Sequence, residues 1–180
     1  PDVNITIEDL AFRANHVIAN EIAIVKNQMS RNRVDMIYGT ASFVDPHRLH
    51  IAQTAGEIEH TADFIVIAVG TEPARPREVP FDDEAIIDTD GLLRLKHIPD
   101  SIVIVGGGVI GTEYASILAA LGIPVTLIDK RPRLLEFVDE EIINTLQTQM
   151  KDIGVTLYHE EEVLAIAKET DHHVNVRLRH

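Results

Sequence analysis

The sequence predicts an α/β protein, a parallel sheet wound with helices and joined to antiparallel β structure. Three observations predict it. The short apolar runs Ile102–Val105, Val125–Ile128 and Val155–Tyr158 alternate with helix-length segments, the pattern of parallel strands linked by crossover helices. A cluster of glycines stands at the end of the first run. Upstream, residues 34–69 mix short alternating runs with turn residues, as antiparallel strands wet on one face do.

The first run, Ile102–Val105, is rich in β-branched residues, as an interior parallel strand buried on both faces requires. Gly106, Gly107 and Gly108 end it, and Gly111 completes a G-x-G-x-x-G register. Gly106 permits a tight turn, Gly108 a close approach of a ligand to the backbone, and Gly111 close packing of helix on sheet. A helix is expected from Val109 and Ile110 to Leu121, stopped by Gly122 and Pro124. Its unpaired N–H groups would face a pyrophosphate. The next strand, Val125–Ile128, ends in Asp129, eighteen residues past Gly111, where a carboxylate accepts ribose hydroxyls. Strand, glycines, helix, strand and acid together predict a Rossmann-like dinucleotide-binding domain, the other reading being a tight strand–helix turn with no ligand.

Composition excludes other classes. The 180 residues carry 16 basic and 29 acidic side chains, a net charge of −13, which argues against nucleic acid as partner. No apolar run reaches the ~18 residues of a membrane helix. There are no cysteines, so cysteine catalysis and cysteine-ligated metal are excluded within these residues, and a reducing, cytoplasmic setting is expected. The nine histidines, among them His47, His50, His60, His159, His172 and His173, show no paired helical spacing and read as surface residues, not as a metal site.

In chain order, Pro1–Ile5 is an extended lead-in. Thr6 and Asp9 resemble a capping box opening a long helix, and Leu10, Ala14, Val17, Ile18, Val25 and Met29 give it an apolar face expected to be buried. Strands are expected at Met36–Tyr38 and Ala41–Val44, and a hairpin from 49–52 and 57–60 with Gly56 near its turn. Phe64–Val69, apolar throughout, reads as a buried strand. Pro73, Pro76 and Pro80 mark a linker. Its Arg75 and Arg77 read as solvated charges, with a cofactor phosphate as the other option. A short strand at Ala85–Ile87 and a short helix from Thr89–Asp90 follow. Past Asp129, a helix opening at Asp139 carries the stripe Ile142, Leu146, Met150 and Ile153 and ends at Gly154. Val155–Tyr158 is the third parallel strand. Residues 163–167 and 174–178 form an antiparallel pair across a turn at Asp171.

Three segments taken together resemble a known family: Ala68-Val-Gly-Thr-Glu-Pro, Gly106-Gly-Gly-Val-Ile-Gly-Thr-Glu-Tyr-Ala, and Leu127-Ile-Asp-Lys-Arg-Pro-Arg-Leu-Leu. The chain is similar over nearly its whole length to the flavin-dependent pyridine nucleotide-disulfide oxidoreductases, in which an NAD(P) domain is inserted into an FAD domain. Residues 79–93 and 108–118 look most like those members that exchange hydride between NAD(H) and NADP(H) through FAD. The resemblance implies that residues 1–72 are a partial FAD-domain segment, 73–80 a linker, and 81–180 the NAD(P) domain, cut short at its C-terminal end. The flavin fingerprint and dimerisation region of the family are missing, so the chain reads as part of a longer, homo-oligomeric protein, inactive alone.

Residue roles follow from the same resemblance. Ala68, Val69 and Gly70 would lie near the flavin, Val69 standing where threonine is usual. Gly106, Gly107, Gly108, Val109, Ile110 and Gly111 would surround the pyrophosphate, and Val109 would leave the nicotinamide pocket open. Glu113 would lie near the nicotinamide or be a surface glutamate. Asp129 would take the ribose and favour NAD. Lys130, Arg131 and Arg133 would neutralise the 2′-phosphate of NADP or form a solvated loop. The flavin carries the chemistry, so no catalytic residue is assigned. A lipoamide-dehydrogenase-like disulfide reductase and a non-catalytic dinucleotide-sensing module are the alternatives.

Overall fold

The computed structural model describes residues 7–170 and 173–180. The lead-in Pro1–Ile5, the Thr6 cap, the Asp171 turn and His172 lie outside the described residues. The described chain divides into two compact units, one spanning Glu8–Glu72 and the other running from Pro73 to His180.

In the first unit, helix α1 (Ile7–Arg31) is followed by β1 (Thr40–Asp45), β2 (Arg48–Gln53) and β3 (Gly56–Thr61). The three strands form an antiparallel meander in the order β1-β2-β3. The β2–β3 register sets Ile51 opposite Ile58 and Gln53 opposite Gly56, a tight hairpin at Gly56. Ile51 alone among the described residues of this unit is a buried hydrophobic.

Three expectations fail here. The α1 face formed by Val17, Ile18, Val25 and Met29 is exposed, not buried; periodicity gives a helix one apolar side but supplies nothing to cover it. Met36–Tyr38 is irregular, and the Tyr38 carbonyl accepts a hydrogen bond from Gln53 Nε2 at 2.8 Å in place of a strand partner. Phe64–Val69 is neither a strand nor buried: Phe64 is 92% and Val66 86% exposed, and no described strand pairs with the run.

The second unit contains α2 (Thr89–Leu92), β4 (Ile102–Val105), α3 (Val109–Ala120), β5 (Val125–Ile128), α4 (Glu140–Asp152), β6 (Val155–Tyr158), β7 (Glu162–Thr170) and β8 (His173–Arg179). Strands β4, β5 and β6 form a parallel sheet in that order. Strands β7 and β8 form a separate antiparallel ribbon. Asp139 caps α4 by accepting from the Glu141 amide at 3.0 Å, and Gly154, at φ 104°, reverses the chain into β6.

The core of this unit joins Ala115, Leu118 and Ala119 of α3, Val125 and Leu127 of β5, Ile143 and Met150 of α4, and Val155 of β6. β5, between two neighbours, is buried nearly throughout. β4 is not the doubly buried strand expected. Ile102 and Ile104 pack on the core, while Val103 and Val105 are exposed. β4 is an edge of the described sheet, and only one of its faces meets the helices.

Ala85–Ile87 is also not a strand. The Asp82 Oδ1 carboxylate oxygen accepts from the backbone amides of Glu84, Ala85 and Ile86 at 2.8–3.0 Å. Those donors are therefore turned inward and unavailable to a ladder. The Ile86 amide first, then the facing Lys168 ammonium, holds the Asp82 pKa well below the usual carboxylate range.

Candidate glycine-loop and carboxylate site

The site is built where β4 ends. Gly106 turns the chain at φ 113°, a conformation that side chains resist, and its amide donates to the Ile128 carbonyl of β5 at 2.8 Å. Gly111 lies so close that a Cβ there would overlap the Gly106 carbonyl oxygen, which sets α3 tight against the loop. Gly108 faces open space, with nothing within 4 Å of a built Cβ. It is also the N-cap of α3, makes no side-chain capping bond, and no acid stands in the first turn. The helix thus starts with N–H groups that no side chain has claimed, as an anion site needs. Val109 and Ile110, in that first turn, are about half exposed. Glu113 is exposed in the next turn of α3.

Gly107 does something the sequence reading missed. A Cβ there would overlap Leu134 Cδ2 and stand 2.9 Å from Asp129 Oδ2. Its amide donates to that same oxygen, and its carbonyl accepts from the Leu135 amide at 3.3 Å. The position belongs to packing between the loop and the segment after β5. Only the fold brings residues 107, 129 and 134 together, so spacing along the chain carries no signal of it.

Asp129 is buried, with 4% of its side chain exposed. Its Oδ2 accepts from Gly107 N and from Arg131 Nη2 at 2.6 Å; its Oδ1 accepts from the Arg131 amide at 2.7 Å and from Arg131 Nε at 2.9 Å. The Arg131 guanidinium, above all, pulls the Asp129 pKa down to about 2. The backbone beyond the strand end is stitched as well: Glu161 N donates to Asp129 O, and Glu160 N to Arg131 O, both at 3.2 Å. Lys130 is exposed, and Arg133 lies 3.5 Å from Glu140. Of the three neighbouring cations, Arg131 is the one joined to the acid.

His159, at the end of β6, is not a plain surface histidine. It is partly buried, its Nδ1 has no hydrogen-bond partner, and burial lowers its pKa. The Thr112 hydroxyl, in the first turn of α3, is likewise buried without a partner. Arg75 is exposed, as expected of a linker charge, but it is ion-paired rather than free. It pairs with Asp83 and with Asp88 at 2.6 Å and lies over the Phe81 ring. Ala68, Val69 and Gly70 lie in the other unit, within its irregular exposed stretch. Among the described residues no group of three His, Asp or Glu side chains is placed to hold a metal.

A three-stranded parallel sheet with its glycine turn, crossover helices and acid at the second strand end defines a Rossmann-like α/β protein. The pyridine nucleotide-disulphide oxidoreductase family profile matches residues 6–179, and the chain belongs to that family. It is 48% identical over 164 residues to the soluble pyridine nucleotide transhydrogenase of Mycobacterium bovis, covering 90% of this chain and 35% of that protein. It is 39% identical over 168 residues to the same-named protein of Colwellia psychrerythraea, covering 93% and 36%. Among solved structures it is similar to LpdA from Mycobacterium tuberculosis, with a TM-score of 0.89 and 25% identity, over 97% of this chain and 39% of that one. It also resembles the flavoprotein disulfide reductase RclA from Escherichia coli, with a TM-score of 0.79 and 28% identity, over 94% and 39%. The chain thus spans little more than a third of the length of the curated relatives it matches.

Proposed function

We propose that this chain carries the NAD(P)-binding part of a flavoprotein that exchanges hydride between NAD(H) and NADP(H). The observation that carries the reading is the α3 N-terminus. Its first-turn amides have no side-chain cap, Gly108 leaves open space before them, and a carboxylate and a guanidinium stand at the end of the adjacent strand. A pyrophosphate fits the amides, and the paired charges fit a ribose with or without a 2′-phosphate. In this reading Gly106, Gly107, Gly108, Val109, Ile110 and Gly111 surround the pyrophosphate, Glu113 lies toward the nicotinamide, and Asp129, Lys130 and Arg131 surround the adenosine ribose. The 48% identity to a soluble pyridine nucleotide transhydrogenase supports the choice of reaction.

Residues 1–72 are assigned to an FAD domain, 73–80 to a linker and 81–180 to the NAD(P) domain. When bound, FAD would supply the carrier that accepts and returns hydride. The residues around Ala68–Gly70 are exposed and irregular and form no flavin cradle by themselves, so no step is derived through the flavin. Protein side chains orient the dinucleotide; none is assigned to proton transfer. The longer protein is placed in the cytoplasm as a homo-oligomer. No described helix is long and apolar enough to cross a membrane.

The test uses the longer protein that contains this chain. Mixed with NADPH and a thio-analogue of NAD, it is expected to reduce the analogue faster than it reduces lipoamide. The likeness to a flavoprotein disulfide reductase supports a second reading, and faster lipoamide reduction would establish that one instead.

A further inference from the structure

Asp129 offers no open acceptor site. A carboxylate has about four lone-pair directions, and here two donors meet each oxygen: Arg131 N and Nε on Oδ1, Gly107 N and Arg131 Nη2 on Oδ2. Two of these donors are backbone amides fixed by the loop and the strand end. The other two belong to one guanidinium on a flexible stem, with a third of its side chain exposed to solvent. A ribose diol that is to donate to Asp129 must therefore displace the Arg131 side chain. A 2′-phosphate also draws the guanidinium outward, but it replaces the ion pair given up with a charge-assisted one of its own.

We propose that Arg131 is a specificity-determining gate: it closes the Asp129 carboxylate against the ribose diol of NAD(H) and turns outward to take the 2′-phosphate of NADP(H). The proposal rests on the reading that a dinucleotide occupies the glycine loop. It differs from an arginine that simply awaits phosphate in one consequence. Removing a gate improves binding of the coenzyme that lacks the phosphate, because Asp129 is released. Removing a mere phosphate ligand leaves that coenzyme unaffected. The pair also lets one pocket accept both dinucleotides, since the acid that would repel a 2′-phosphate stays partly neutralised while the arginine bridges to it.

The experiment is calorimetric titration of the 180-residue chain, with Arg131→Met and Arg131→Lys beside it, against NADH and NADPH, with far-ultraviolet circular dichroism as the folding control. Arg131→Met is expected to tighten NADH about 3- to 10-fold and weaken NADPH about 10-fold or more, a range set by losing a charge-assisted fork. Arg131→Lys keeps the charge without the fork; it should lie between the two, and it carries the test if the methionine variant does not fold. NADH affinity that is unchanged or weaker in both variants overturns the gate while leaving the dinucleotide site intact. An original chain that binds neither NADH nor NADPH overturns the site and the gate together. Asp129→Asn gives the reciprocal result: NADPH tightens only while Arg131 is present, so no gain in the Asp129→Asn, Arg131→Met double variant supports the coupling, and an equal gain there overturns it.

Discussion

Two apolar runs, Phe64–Val69 and Ile102–Val105, look alike as strings and have opposite fates. Ile102–Val105 becomes β4, hydrogen-bonded in register to β5 and covered on one face by the core. Phe64–Val69 stays irregular, with Phe64, Val66 and Val69 almost wholly exposed. The same contrast separates the helices. Of the stripe expected on α4, Met150 is buried and Leu146 packs against the core, but Ile142 and Ile153 are exposed and the neighbouring Ile143 is buried instead, whereas the stripe of α1 meets solvent. A hydrophobic pattern states what a segment is able to bury; a neighbour decides whether it does.

The largest expected effect tests this contrast directly. Leu127→Ala, at a side chain 1% exposed, should lower the unfolding free energy of the chain by about 3 kcal/mol. Val66→Ala should change it by less than about 0.5 kcal/mol. Urea denaturation measures both, and a Val66 loss rivalling that of Leu127 would show the run to be covered in solution.

The next effect sharpens the contrast through charge. The Asp129 carboxyl is held near a pKa of 2 in the fold and returns to an ordinary value on unfolding. Because the folded value is the lower one, its contribution is fully present above about pH 4 and disappears as pH falls toward 2. The size is about 2 kcal/mol by linkage. Acid titration of stability should show this loss, and Asp129→Asn should remove it. No group described in the Glu8–Glu72 unit has a comparably buried carboxylate.

The smallest effect runs in the opposite direction. The Thr112 hydroxyl is buried without a partner, so Thr112→Val should raise stability by about 1 kcal/mol, read from the shift in denaturation midpoint. A loss instead would mean that the hydroxyl is hydrogen-bonded in solution.

Much of the second unit was legible because its signals are local. Gly106 ends β4, Val109 begins α3, Asp139 caps α4 and Gly154 stops it, and each of these is written within a few neighbouring residues. The meander was legible from alternation and from Gly56. What stayed hidden depends on contacts between distant positions. The Asp82 carboxylate takes the amides that would have made Ala85–Ile87 a strand, and Arg75 finds Asp83 and Asp88. At the site, Asp129 was readable as an acid at a strand end. Its possession by Arg131 and Gly107 was not, since a lone-pair inventory needs three dimensions.

The crowding at Gly107 and Gly111 bears on how such motifs should be weighed in other chains. Leu134, Asp129 and the Gly106 carbonyl forbid a methyl at these two places whatever the domain holds. A descendant that had abandoned its coenzyme would go on displaying both, a fossil of architecture rather than of use. A side chain at Gly108 would meet no protein atom within 4 Å, so it is the letter free to drift once nothing docks against it, and the one whose retention speaks for a guest.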